Sequence, residues 1–114
     1  MKIHHVGYLV KDIKGAKEEF LKLGYSDGKI TRDDYRGIDI CFMENSGCMV
    51  ELISPFRDDS MVSGLIKKYK NSPYHLCYIA DNFEQEIEHL TANCYIQMGE
   101  AREAVAIDGR RVVF

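Results

Sequence analysis

Residues 3–10 read IHHVGYLV, a β-branched and aromatic run that predicts a strand. The apolar spacing then changes. Ile13, Ala16, Phe20 and Leu23 line one face of a helix over 13–23, with Asp12 placed to cap it and Gly24 to end it. A polar stretch follows, with a short strand predicted near 28–32. Two runs, 37–44 and 48–54, flank Glu44-Asn45-Ser46-Gly47 and predict a hairpin. Pro55 closes it, 55–59 form a link, and Ser60 is positioned to cap a helix over 61–70. Beyond Asn71-Ser72-Pro73 the pattern predicts a strand at 74–80. A helix over 83–91 follows, capped by Asp81 or Asn82, with Phe83, Ile87 and Leu90 facing inward. A strand at 94–98, a loop at 99–108 and a strand from 110 onward complete the chain.

The second half of this pattern repeats the first. Moved by 70 positions without a gap, residues 4–25 fall on 74–95, with His5 on His75, Tyr8 on Tyr78, Glu18 on Glu88 and Tyr25 on Tyr95. GIDICF (37–42) lies against GRRVVF (109–114). The expected fold is therefore α+β, built from two tandem βαβββ units. Unit one covers 1–54, a linker helix region 55–72, and unit two 73–114, all within one domain. CMVELIS (48–54) has no counterpart in the second unit, which lacks its last strand.

Strand alternation assigns the side chains to faces. Ile3, His5, Gly7 and Leu9 share one face of the first strand, and His4, Val6, Tyr8 and Val10 the other. His75, Cys77 and Ile79 oppose Tyr74, Leu76 and Tyr78. His5 and His75 occupy equivalent positions in the repeat and so point the same way relative to their own units. Glu51 stands inside MVELI, where a buried carboxylate without a partner costs several kcal/mol. A bound cation compensates it, and two imidazoles with one carboxylate suit Zn, Ni, Co, Mn or Fe far better than Ca. Singly, each of these residues also reads as an ordinary core or surface side chain, and only the repeat joins them. His4 falls on the wrong face. His89, Asp58, Asp59 and the Lys67, Lys68 and Lys70 cluster read as solvated charges.

Composition narrows the classes of partner. The chain has 114 residues, 46% hydrophobic and 29% charged, with a net charge of −3. That balance gives no electrostatic reason to expect nucleic acid or an anionic membrane as a partner, and suits a cytoplasmic protein. No leader or transmembrane run is present, nor is any P-loop, nucleophile elbow or dinucleotide fingerprint. Cys41, Cys48, Cys77 and Cys94 form no CxxC pair. Cys41, Cys48 and Cys77 lie in apolar runs and are expected to be buried reduced thiols.

Four stretches carry a family resemblance: HHVGYLVKDI, VELISPFRDDSMVSGLIKKY, YHLCYIAD and DGRRVVF. Over nearly its whole length the chain resembles the vicinal oxygen chelate superfamily, which includes the glyoxalase and bleomycin resistance proteins. Its middle and third blocks are most similar to the methylmalonyl-CoA epimerases. The resemblance implies a cupped mixed β-sheet and a homodimer. It also implies one divalent metal ion held by His5, Glu51 and His75. The family's fourth ligand is a glutamate in its last strand, and the counterpart of Glu51 falls beyond Phe114. The implied activity is proton transfer α to a carbonyl or thioester of a small-molecule substrate, in a lyase or isomerase of the glyoxalase type. Glu51 is expected to take part in catalysis. Where the epimerases carry a glutamate base, this chain has Tyr35 after Asp33 and Asp34, and Asp34 would substitute if the loop turned it inward. The alternative is a metal-free small-molecule binding or resistance protein of the same fold.

Overall fold

A computed structural model describes residues 1–114. The first unit contains β1 (Lys2–Leu9), α1 (Ile13–Lys22), β2 (Ile30–Asp33), β3 (Ile38–Asn45) and β4 (Cys48–Pro55). Helix α2 (Ser63–Tyr69) links it to β5 (Ser72–Ile79), α3 (Phe83–Ala92), β6 (Arg102–Ala104) and β7 (Arg110–Val112), with a 3-10 turn at Val105–Ile107. The fold is α+β, around a curved mixed sheet of five strands in the order β2-β3-β4-β1-β5. β1 runs parallel to β4 and antiparallel to β5.

Local chemistry fixes the ends of these elements. The Asp12 carboxylate accepts from the Lys14 N–H at 3.2 Å, and the Asn82 side chain accepts from the Gln85 N–H at 3.1 Å. Each thereby satisfies one of the free donors of its helix. Ser46 and Gly47 both have positive φ, 51° and 81°, which matches the right-handed twist of the flanking strands in a two-residue hairpin. Ser60 does not cap α2 itself, whose N-cap position is held by Val62. Its Oγ accepts from the Val62 N–H at 3.1 Å, and α2 begins only at Ser63.

The sheet buries both faces in its first half. On one face Cys41, Met43, Val50 and Leu52 pack under Ile13 of α1, with Tyr8, Ala16, Phe20 and Tyr25 around them. On the other, Leu9, Ile38, Ile40 and Ile53 pack against Val62, Leu65 and Ile66 of the α2 region and against Tyr74. That second layer closes one end of the concave face. The other end holds the polar side chains of interest.

The second unit is more open. No strand pairs the outer edge of β5, and β6 and β7 form a separate two-stranded sheet. Leu76, Tyr78 and Ile79 of β5 are exposed, and α3 has no fully buried residue because its apolar face meets little sheet. The strand expected at 94–98 is absent: those residues are irregular, and Tyr95, Ile96 and Met98 are exposed. The expected loop at 99–108 instead contains β6 and the 3-10 turn, because pairing with β7 requires a hairpin partner there. Cys48 corrects a further expectation. It opens β4 at the hairpin, beyond the cover of α1, and is exposed; Cys41 is buried, Cys77 is half-buried, and all four thiols are free. No helix is long and apolar enough to cross a membrane.

Leu52 is fully buried at the centre of the α1 layer. Leu52→Ala should destabilise the chain by roughly 2–5 kcal/mol, read as a lowered denaturant midpoint at unchanged slope.

Candidate metal centre

One row of side chains crosses four strands. Phe42 pairs with Glu51, Glu51 with Gly7, and Gly7 with His75. Glu51 therefore leaves β4 on the concave face, between the apolar Val50 and Leu52 of the opposite face. Gly7 lies between the carboxylate and the imidazole. A Cβ on Gly7 would meet the His75 ring at 2.1 Å, so the absent side chain is the room in which that ring leans across β1. His5, two residues before Gly7 on the same face, reaches the same point.

Three donor atoms converge there. His5 Nε2 is 3.1 Å from Glu51 Oε2 and 3.1 Å from His75 Nε2, and His75 Nε2 is 3.6 Å from Glu51 Oε2. The side chains are 6%, 12% and 15% exposed respectively for His5, Glu51 and His75. Phe42 packs edge-on against His5, while Tyr74 and Phe114 do the same against His75. His75 Nδ1 is buried without a hydrogen-bond partner.

The arrangement fits a divalent ion. Metal–ligand bonds of about 2.1 Å at angles between right and tetrahedral put donors about 3.0–3.4 Å apart, close to the separations here. Two nitrogens, one carboxylate oxygen and partial burial suit a first-row transition ion or zinc.

Without a cation, a proton serves the same purpose. Burial works against charge on His5, but the Cys77 sulfur and the Glu51 carboxylate outweigh it and lift its pKa to about 9. The Glu51 contact is the firmer of the two, because the Cys77 thiol is directed at the Tyr78 carbonyl oxygen at 3.8 Å. Burial and the neighbouring His5 push His75 below the ordinary imidazole value, against the pull of Glu51. The shared proton thus resides on His5.

His4 does not follow strand alternation. Between Ile3 and His5 the β1–β5 register slips by one residue, leaving His4 as the extra residue of a bulge. Its ring turns toward His5, Nδ1 to Nδ1 at 2.8 Å, and packs edge-on near Phe42. Tyr74 is the extra residue of a second bulge, in β5, and joins the concave face rather than the opposite one. Parity counted along an unbroken strand missed both.

Asp34 is not brought to this cluster. Asp33 turns inward instead, 3% exposed, with its carboxylate bound to the Arg36 backbone N–H at 3.0 Å and to the Arg36 guanidinium at 2.7 Å. Asp34 is exposed in the β2–β3 turn, where Arg57 donates to its carbonyl oxygen at 2.6 Å. It lines an open cleft of about 570 Å³ with Arg32, Asp33, Tyr35 and Glu103. That cleft has no imidazole in its wall. It reports open shape, whereas the converging buried donors report chemistry. His89, Asp58, Asp59, Lys67, Lys68 and Lys70 are exposed.

Comparison with known proteins gives a consistent picture of the fold. The family model described as "Glyoxalase/Bleomycin resistance protein/Dioxygenase superfamily" matches residues 4–114. A mitochondrial methylmalonyl-CoA epimerase of Bos taurus is 24% identical over 115 residues, covering 99% of this chain; the chain spans 65% of that relative's length. The crystal structure of a hypothetical protein from Bacillus halodurans C-125 superposes with a TM-score of 0.89 at 22% identity, over 99% of this chain and 82% of the other. That of methylmalonyl-CoA epimerase from Mycobacterium tuberculosis gives 0.88 at 21% identity, over 99% and 77%.

Two measurements follow from the geometry. Gly7→Ala should displace the His75 ring and cost roughly 1–3 kcal/mol, seen as a lower denaturant midpoint and a shifted His75 ring-proton resonance. In chelator-treated protein, His5 should titrate near pH 9 and His75 below the free imidazole value of 6.5. Because the folded His5 pKa is raised, its stabilising contribution is complete below pH 6.5 and disappears as pH rises through 9. His75, lowered on folding, works in the opposite sense and favours the fold less as pH falls below 6.5. NMR titration of the ring protons, with denaturation midpoints across this range, checks both.

Proposed function

We propose a specific chemistry for this chain, which belongs to the Glyoxalase/Bleomycin resistance protein/Dioxygenase superfamily: a divalent-cation-dependent proton transfer at a carbon α to a carbonyl or thioester. His5, Glu51 and His75 would hold the cation. The observation that carries the reading is the spacing of their three donor atoms at 3.1, 3.1 and 3.6 Å inside a partly buried aromatic surround. A metal in such a site supplies Lewis acidity toward the oxygen of a carbonyl, which acidifies the adjacent C–H.

The chain's own residues account for the rest. Glu51 Oε2 faces both imidazoles, while Oε1 makes no hydrogen bond and is free to accept the α-proton and return it. Phe42, Tyr74 and Phe114 surround the imidazoles and limit water, which strengthens every electrostatic contact inside. Burial raises the Tyr74 hydroxyl pKa well above its ordinary value, so that group stays protonated and serves as a hydrogen-bond donor rather than a base. Asp34 has no part in this reading. The substrate class is a small acyl compound with an acidic α-C–H. A coenzyme A thioester is the member favoured by relatives named as methylmalonyl-CoA epimerases.

The edge-on rings around His5 and His75 also support a second reading, a metal-free binding protein that holds a small molecule in the same cup. Elemental analysis of purified protein, together with deuterium exchange at the α-carbon of methylmalonyl-CoA followed by NMR, separates the two. The enzyme reading expects metal and exchange together. His5→Ala and His75→Ala should abolish both. Glu51→Gln should reduce exchange by more than the roughly 10–100-fold that losing a hydrogen-bond partner of a metal ligand costs. Full exchange in either histidine variant, or after complete metal removal, would sink the enzyme reading.

A further inference from the structure

We propose that His4, Cys77 and the Nδ1 side of His5 form a second cation site, selective for thiophilic divalent ions such as Zn²⁺ or Cd²⁺, which competes with the Glu51 site for the His5 ring. One donor atom from each of these three residues lies within 4.8 Å of the others. His5 Nε2 is turned to Glu51 and His75, whereas its Nδ1 is 2.8 Å from His4 Nδ1. The two nitrogens of one ring therefore face two different donor sets.

The site depends on two local features. The bulge at Ile3/His5 brings His4 onto the same side as His5, where an unbroken strand would have sent it to the opposite face. Cys77 pairs directly with His5 across the strands, and the repeat makes it the counterpart of Gly7. Around His75 the equivalent position is an empty glycine that makes room for the ring. Around His5 it carries a thiol. That thiol lies beside the His5 ring, and its other contact is weak, to the carbonyl oxygen of the next residue at 3.8 Å.

Two imidazole nitrogens and a thiolate form a borderline-soft donor set, unlike the nitrogen–oxygen set around Glu51. Bonds of about 2.0–2.1 Å in tetrahedral geometry put two nitrogens about 3.3 Å apart. His4 and His5 need spread only slightly to reach it. On binding, the Cys77 S–H bond and the Nδ1–H bond of the protonated His5 ring break, the sulfur–metal and nitrogen–metal bonds form, and both protons leave to solvent. A neutral imidazole has one lone pair, so an ion on His5 Nδ1 requires the ring proton on Nε2 and removes that nitrogen from the Glu51 site. Occupation of one site empties the other. This competition rests on the proposed role of His5 beside Glu51; the thiol site itself does not.

The test uses the full chain with Cys48→Ser and Cys94→Ser, which removes the two exposed thiols. Chelator-treated protein is titrated with Cd²⁺, and the thiolate-to-cadmium charge-transfer absorption is followed in the ultraviolet. A saturable band at one ion per chain is expected. It should be lost in Cys77→Ser, weakened in His4→Ala and retained in Glu51→Gln. His4→Ala alters a half-exposed side chain, so it tests the proposal even if Cys77→Ser folds poorly. No band, a band that survives Cys77→Ser, or one that Glu51→Gln removes would overturn the second site. A band that behaves as expected beside unchanged α-proton exchange in Glu51→Gln would instead overturn the proposed function and leave this site standing.

Discussion

A carboxylate set among apolar strands constrains everything else on the concave face. Glu51 is 12% exposed and flanked in sequence by Val50 and Leu52, whose side chains pack in the core under α1. A buried charge without compensation costs several kcal/mol, which is a large share of the stability of a domain this size. Compensation has to come from the strands beside it. β1 and β5 supply it, one imidazole each. The supply works only because Gly7, between them in the row, has no side chain. The glycine, the two histidines and the glutamate are therefore one unit, in which each residue type sets what its neighbours can do.

The repeat gives this unit its geometry. Under a shift of 70 residues, the pair His5 with Cys77 exchanges with the pair Gly7 with His75, while Val6 with Leu76 maps onto itself. A local twofold axis thus passes through the Val6–Leu76 pair. The bulge residues His4 and Tyr74 are also exchanged by it, so the two register slips are one feature repeated. Symmetry of backbone then meets asymmetry of chemistry. Glycine on one side is cysteine on the other; histidine on one side is tyrosine on the other. The hydrophobic packing is unequal as well. α1 covers a sheet of β3, β4 and β1, whereas α3 has no buried residue and is tied to β7 by Arg111, which pairs with Glu84 and lies over Phe83, while the outer edge of β5 has no partner strand.

Much of this arrangement was legible in the sequence, and the failures have local causes. Strand parity and the repeat set His5 and His75 in equivalent places, Glu51 stood out as a carboxylate inside an apolar run, and the family resemblance joined the three; none of them is itself the extra residue of a bulge. His4 and Tyr74 were missed, since each is an extra residue that turns to the face parity denies it; IHHV carries no glycine or proline at its slip, whereas Pro73 before Tyr74 and Gly7 opposite it flank the second slip and could have signalled it. Asp33 and Asp34 are chemically equal in the sequence. Only the Arg36 backbone and guanidinium, both bound by Asp33, decide which one turns inward. The strand expected at 94–98 shows the limit of propensity: Tyr95, Ile96 and Met98 suit a strand, but the Met98 N–H donates to the Phe114 carbonyl oxygen just past β7 at 2.6 Å without a ladder forming, and strand pairing begins where β6 meets β7. Cys48 lies in an apolar run but at its end, beyond the reach of the helix that buries Cys41.

The same cluster can be held together by a proton or by a cation, and the two compete. With the His5 pKa raised to about 9, its ring carries a proton at pH 7 that an ion entering through Nε2 would have to displace. In the proposed reading a divalent ion would do so by engaging all three side chains at once, where the proton on His5 serves the Glu51 carboxylate and the His75 nitrogen. The raised affinity of His5 for a proton and its fitness as a metal ligand therefore have one origin, the Glu51 charge that the fold places beside it. Removing that charge while keeping the shape weakens both together, whereas a histidine held in place by packing alone would lose neither.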